Sequence, residues 1–169
     1  MENLIKILKE QTTSLKMQYV QAIRKWTTEH YERCLVRKQW SEVDWCKHFG
    51  IEPEPRTSGL GFPKGFYNTV NAKFYDSMCK DIKNVLSVPL EDSLEKAEKA
   101  AIEHYENSIL KLAHRISEKG LIEENIEVKT SHVGVNIETI LTDGIKTVRA
   151  FTVLAQGEVQ RPHYRYLIK

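Results

Sequence analysis

The densest run of chemistry-bearing side chains in this sequence is Gln160-Arg161-Pro162-His163-Tyr164-Arg165-Tyr166, with two guanidiniums, one imidazole and two phenols. On a strand, His163 and Arg165 face one way while Tyr164 and Tyr166 face the other. Guanidinium and phenol together suit phosphate contact with base stacking, or an anchor in a protein interface. A closing strand with packed tyrosines and solvated arginines would use the same residues. Arg149, near Glu138, Thr147 and Asn136, could make a sheet face into a platform or simply form a solvated charge pair. Gly59-Leu-Gly-Phe-Pro-Lys64 adds Phe62 and Lys64 on a loop, but it lacks the G-x-x-x-x-G-K-[ST] spacing of a phosphate loop. The candidate partner-binding residues are therefore Arg149, Arg161, His163, Tyr164, Arg165, Lys64 and Phe62.

Turnover chemistry is less well supported. Of the six histidines, His30, His104 and His114 lie in or beside helical stripes, where a satisfied histidine is the ordinary outcome. His132 at a strand start and His163 in the last strand could converge, as nucleases that use a histidine pair require. Nothing in the spacing brings them together, and no catalytic residue is assigned. The three cysteines, Cys34, Cys46 and Cys79, cannot all pair within one chain and are expected as reduced thiols on partly buried helices. A zinc set of Cys34, Cys46, His48 and Cys79 is disfavoured, because Cys46-x-His48 puts two ligands on opposite sides of a helix. The expectation is no metal and no cofactor.

These residues must be positioned by two kinds of element. Residues 2–36 read as one long helix, with Leu4, Leu8, Leu15, Tyr19, Ile23, Trp26, His30 and Cys34 mostly at three- and four-residue steps. Ser41 with Asp44 resembles a capping box opening a short helix that Gly50 ends. Residues 50–65 crowd four glycines and three prolines together, which predicts an irregular loop that Leu60, Phe62 and Phe66 tack onto a core. Helical spacing returns over 67–86 and 90–118, separated by Val88-Pro89 and stopped at Gly120.

After Asn125 the period becomes alternating. Asp143-Gly144 between β-rich runs 135–142 and 145–154 predicts a two-residue type I′ hairpin. That register sets Thr142 opposite Ile145, Ile140 opposite Thr147 and Glu138 opposite Arg149, with Leu141 and Val148 facing the helices. Strands at 163–168 and 126–130 would extend the sheet. The expected fold is α+β: a single domain, residues 1–169, with a helical part (1–120) that includes loop 50–66, packed on a three- to four-stranded antiparallel part (121–169).

Composition excludes other classes. With 169 residues, 41% apolar and 28% charged, the sequence is globular in type, and no apolar run reaches the ~20 residues that span a bilayer. The start Met1-Glu2-Asn3-Leu4 lacks the features of a secretory signal, so the location expected is cytoplasmic. The net charge of +2 does not by itself imply a nucleic-acid partner. Residues 89–124 carry nine acidic against five basic side chains, an acidic segment between mildly basic ones. A helix of ~35 residues is roughly 50 Å long at ~1.5 Å per residue, and its apolar stripe needs a cover, either the other helices or a second copy of the chain.

Ile140-Leu-Thr-Asp-Gly-Ile-Lys-Thr-Val-Arg149 and Arg161-Pro-His-Tyr-Arg-Tyr166 give residues 133–166 a resemblance to the C-terminal part of small proteins carried by phages and other mobile elements. The resemblance implies a genomic setting and carries over no catalytic residue. By analogy it suggests an inhibitor of host defence, such as an anti-CRISPR protein. The expectation is thus a non-enzymatic binder of a protein partner, a host defence nuclease complex. The alternatives are a nucleic-acid-binding accessory protein and a small histidine-dependent nuclease.

Overall fold

A computed structural model describes the backbone of residues 1–133, 136–153 and 163–165, and side chains over 1–130 and 139–149. Helices come first and an antiparallel sheet last, so the fold is α+β. The order is α1 (Glu2–Gln11), α2 (Thr13–Lys38), α3 (Glu42–Phe49), β1 (Glu54–Arg56), β2 (Gly59–Gly61), α4 (Val70–Leu86), α5 (Leu90–Lys119), β3 (Glu127–Val133), β4 (Asn136–Thr142), β5 (Thr147–Val153) and β6 (His163–Arg165). Among the described residues, no helix is long and apolar enough to cross a membrane. The chain divides into two compact units, Met1–Thr28 with Ser93–Lys169, and Glu29–Asp92.

In the first unit, Leu4 and Leu8 of α1 join Tyr105, Ile109, Leu112 and Ile116 of α5 over Leu141 and Val148 of the sheet. Farther along, Leu15, Tyr19 and Ile23 of α2 are buried with Ala101 of α5. This stretch of the apolar stripe is therefore covered by helices of the same chain. The first helix is not continuous. At Thr12 the backbone departs to φ −109°, and its hydroxyl donates to the Leu8 carbonyl at 2.6 Å, competing with the backbone. The hydrogen-bond ladder still passes from Thr12 to Leu8 and from Lys16 to Thr12, both at 3.0 Å, so the break is local. The Tyr105 hydroxyl, which shares a hydrogen bond with Thr12, pins it.

The sheet runs β3-β4-β5-β6, antiparallel throughout. Leu141 and Val148 face the core as expected, but the hairpin register differs from the sequence reading. Thr142 pairs with Thr147, Ile140 with Arg149 and Glu138 with Phe151, so the connection holds four residues rather than two. Glu138 and Arg149 are therefore not directly opposite each other. The cause lies in the loop's polar side chains. Asp143 Oδ1 accepts from the amides of Ile145 and Lys146, and Oδ2 from that of Ile122. Lys146 Nζ donates to the carbonyls of Lys119 and Gly120, at the C-terminal end of α5. Positive charge at that end is favourable, and these bonds hold Ile145 and Lys146 out of the strands. The shift is two residues, so every side chain keeps its face.

Gln11 ties the helices to the sheet edge. Its amide nitrogen donates to the Ile126 carbonyl at 2.9 Å, and its amide oxygen accepts from the Val128 amide at 2.7 Å. One side chain thus satisfies two backbone groups beside β3, an edge strand.

The second unit has an aromatic core. Trp45, Cys46, Phe62, Phe66, Cys34 and Ile82 are buried, with Trp40, Phe49 and Tyr75 packed around them. The Ser41–Asp44 capping box forms as expected, and Gly50 closes α3 in the left-handed region at φ 68°. The stretch read as an irregular loop instead contains a small hairpin, Glu54–Arg56 paired with Gly59–Gly61. Glu42 organises it, pairing with Arg56 at 2.9 Å and accepting from the Phe62 amide at 3.0 Å. A Cβ at Gly61 would collide with the Glu42 carboxylate and the Arg56 side chain, so a larger residue there would displace that ion pair. Phe62 and Phe66 stack at 3.9 Å and anchor the segment, whereas Leu60 is exposed.

Candidate functional site

The sequence-nominated residues fall in both units, Phe62 and Lys64 in the second and Arg149 with those of β6 in the first. Phe62, expected as a partner contact, is 1% exposed and belongs to the second unit's core. Its stack on Phe66 removes it from any contact surface. Lys64 is exposed, its amide held by Glu54 at 3.1 Å. Arg149 is exposed on β5, opposite Ile140. His163, Tyr164 and Arg165 have backbone positions on β6, and Arg161 lies outside the described residues. The histidine pair is not brought together. His132 is on β3 and His163 on β6, the two outer strands, three spacings apart or roughly 14 Å at ~4.8 Å each. The acidic helix spends two carboxylates on neighbours, Glu98 pairing with Arg24 and Glu106 with Lys9.

The second unit contains a different concentration of chemistry, a cavity of about 500 Å³. Arg37 and Lys38 reach it from the last turn of α2, Trp40 from the link, and Trp45 from α3. Tyr75, Cys79, Ile82, Lys83 and Leu86 line it from α4, at the three- and four-residue steps that put them on one helix face. Local sequence dictates this geometry. The amides of Gln39 and Trp40 bond back to Val36 and Arg37, ending α2 in a tight turn. The capping box then starts α3 immediately and fixes the interval between Trp40 and Trp45.

The two tryptophans meet edge to face at 4.8 Å and 74°, a preferred arrangement for π systems. The Arg37 guanidinium sits 5.4 Å from the Trp40 ring centre, within cation–π range. Tyr75 meets Trp45 edge-on at 5.3 Å. Burial pushes the Tyr75 phenol up to about 12, with its hydrogen bond to Cys79 adding to the rise. At neutral pH it is therefore an O–H group and not a base. Burial and the nearby Arg37 charge lower His48, whose ring lies 5.5 Å from Trp40, favouring neutral imidazole.

The described lining therefore offers two indoles, one phenol and three cations, and no carboxylate. Such a set can receive an anionic group beside an aromatic or apolar one. The only thiol in it, Cys79, adjoins a phenol that cannot take its proton at neutral pH. Outside the cavity lining, Tyr67, Val70 and Phe74 are exposed at and just before the start of α4.

Reading the sequence for motifs missed this site, because no motif defines it. The available signal was the pair Trp40 and Trp45 flanking the capping box, with Tyr75-x3-Cys79-x3-Lys83 as a second stripe. No protein-family model matches this chain, and neither a curated protein nor a solved structure does.

Proposed function

We propose that this chain is a non-enzymatic binding protein that engages an acidic protein partner through the cavity between Trp40, Trp45 and Tyr75. The observation that carries this reading is the lining itself: Arg37, Lys38 and Lys83 are cations around an aromatic floor that has no described carboxylate. Charge complementarity of this kind gives speed and specificity of association, while indole and phenol supply the buried contact area. The resemblance of residues 133–166 to phage and mobile-element proteins directs the binder, in the cytoplasm of a host cell, at a defence nuclease complex. Nucleic acid is the second reading, favoured by the same union of cations with stackable rings.

The test compares the parent with Lys83→Glu, at an exposed position, and with Trp40→Ala, whose folding is checked by urea unfolding because the ring packs on the aromatic core. In cells whose nuclease-based defence restricts a phage, expression of the parent should restore plating and both variants should lose that effect. Equal plating with and without the parent, or full effect from both variants, overturns the reading. A fluorescent single-stranded oligonucleotide titrated at two salt concentrations separates the alternatives. Binding that weakens steeply with salt assigns the cavity to phosphate, and negligible binding at low salt removes nucleic acid.

A further inference from the structure

His30 and Cys34 are one turn apart on α2, and Asp81 comes from α4. One nitrogen, one sulfur and one oxygen from these side chains all lie within 4.8 Å of one another. His30 Nε2 faces the Asp81 carboxylate at 3.0 Å. The three differ in setting: Cys34 is 2% exposed, His30 is partly covered, and Asp81 opens to solvent. A buried anchor with a solvent-facing carboxylate gives an entry path for a small ion.

We propose that His30, Cys34 and Asp81 form a zinc-type divalent metal site with three protein ligands and a fourth position open to solvent. The i, i+4 spacing puts imidazole and thiol on one face of one helix, as helical metal sites require. Imidazole nitrogen, thiolate and carboxylate are the donor types that Zn²⁺ takes, usually in a tetrahedral set. Thiolate and carboxylate together carry two negative charges, which match a divalent ion. Binding replaces the Nε2–H to Asp81 hydrogen bond with two bonds to the metal. The Nε2 proton leaves to solvent and Nδ1 takes one up, so the bound imidazole is the other neutral tautomer, and Arg33, which now contacts Nδ1 at 3.4 Å, must turn away. Cys34 loses its thiol proton to solvent as the metal–sulfur bond forms. Burial and the Asp81 charge make the Cys34 proton harder to remove, and the Arg37 and Arg33 charges offset this only in part while opposing the cation, so the site is suited to an ion that bonds sulfur strongly.

This set is not the one considered from sequence. Cys46, His48 and Cys79 are not part of it, and Asp81 could not be linked to Cys34 without the pairing of α2 and α4.

The experiment titrates the full chain with Co²⁺ as a spectroscopic substitute and then with Zn²⁺. The expected result is a thiolate-to-cobalt absorption band that saturates at one equivalent and is displaced by Zn²⁺. Cys34→Ser should abolish the band and Cys79→Ser should leave it. Asp81→Asn, at an exposed position that does not threaten folding, should weaken binding by at least about tenfold, the scale even an outer-shell partner commands. No band in the parent, a band retained in Cys34→Ser, a band lost in Cys79→Ser, or unchanged affinity in Asp81→Asn would each overturn the proposal.

Discussion

The two units bury their apolar residues differently. In the first, Leu4, Leu8, Ile109, Leu112, Ile116, Leu141 and Val148 make an aliphatic core. Its key polar side chains are spent on backbone: Thr12 on Leu8, Gln11 on β3, Asp143 on its own loop and on Ile122. In the second, rings and sulfur fill the interior, and the Trp40–Trp45 and Trp45–Tyr75 rings, meeting at 74° and 82°, have a cavity beside them. Branched aliphatic side chains interdigitate and close gaps, whereas rings held edge to face keep their faces available. One core is closed by interdigitated side chains, whereas the other leaves rings and cations lining a cavity.

The largest effects should come from truncating one ring in each core. Tyr105→Ala in the first unit and Phe62→Ala in the second are each expected to cost about 3–5 kcal/mol in urea unfolding. Both residues are 1% exposed, but they should differ in consequence. Phe62 meets Tyr75 edge-on at 5.0 Å, so its loss should also disturb the cavity and weaken partner capture. Tyr105→Ala should leave capture intact wherever the protein remains folded. If Phe62→Ala unfolds like the parent, the aromatic unit is not packed as described.

Next in size is Gln11→Ala. Two backbone groups at the sheet edge lose their partner, and water reaches both, so the expected loss is about 1–2 kcal/mol at roughly 1 kcal/mol per net hydrogen bond. Amide hydrogen exchange at Val128 should accelerate in the same variant. An unchanged exchange rate there would mean that α1 does not hold β3.

What could be read in advance divides by range along the chain, and both units contain each kind. Amphipathic stripes, the Ser41–Asp44 box and the stops at Gly50 and Gly120 are local signals, and each appears where the sequence put it. The break at Thr12 was not legible, because it depends on Tyr105, far along the chain. Nor was the four-residue hairpin loop: Asp143-Gly144 favours a two-residue turn locally, but Ile122 and the end of α5 claim Asp143 and Lys146. The small β1–β2 hairpin depends on Glu42 in α3. The cavity is long-range in the same sense. It needs α2, α3 and α4 together, and composition alone ranked the C-terminal Arg-Tyr run above it.

A pH experiment probes the first unit's polar economy. Three backbone amides hold the Asp143 carboxyl down to about 2, against an ordinary 3.8. Because the folded value is the lower one, the carboxylate's contribution is present above about pH 4 and is lost as pH falls through that interval towards 2. Asp143→Ala should therefore be less stable than the parent at neutral pH, and the gap should close between about pH 4 and pH 2. A gap of constant size across that range would show that the loop does not depend on the ionised carboxylate.

The smallest expected effect has the opposite sign. Thr139 is 1% exposed on β4, on the same face as Leu141, and its hydroxyl has no hydrogen-bond partner among the described residues. A stranded hydroxyl in an aliphatic core carries its desolvation cost without return. Valine keeps the shape and the β-branched strand preference and replaces that hydroxyl with a methyl. Thr139→Val should therefore raise stability by about 1 kcal/mol, near the lower end of the cost of an unsatisfied buried group. Thr139→Ala removes the hydroxyl but also a methyl, leaving a void, and should show no such gain. The pair of variants separates polarity from packing. If valine destabilises as alanine does, the hydroxyl is bonded in solution, and the first unit spends this polar group as it spends Gln11 and Asp143.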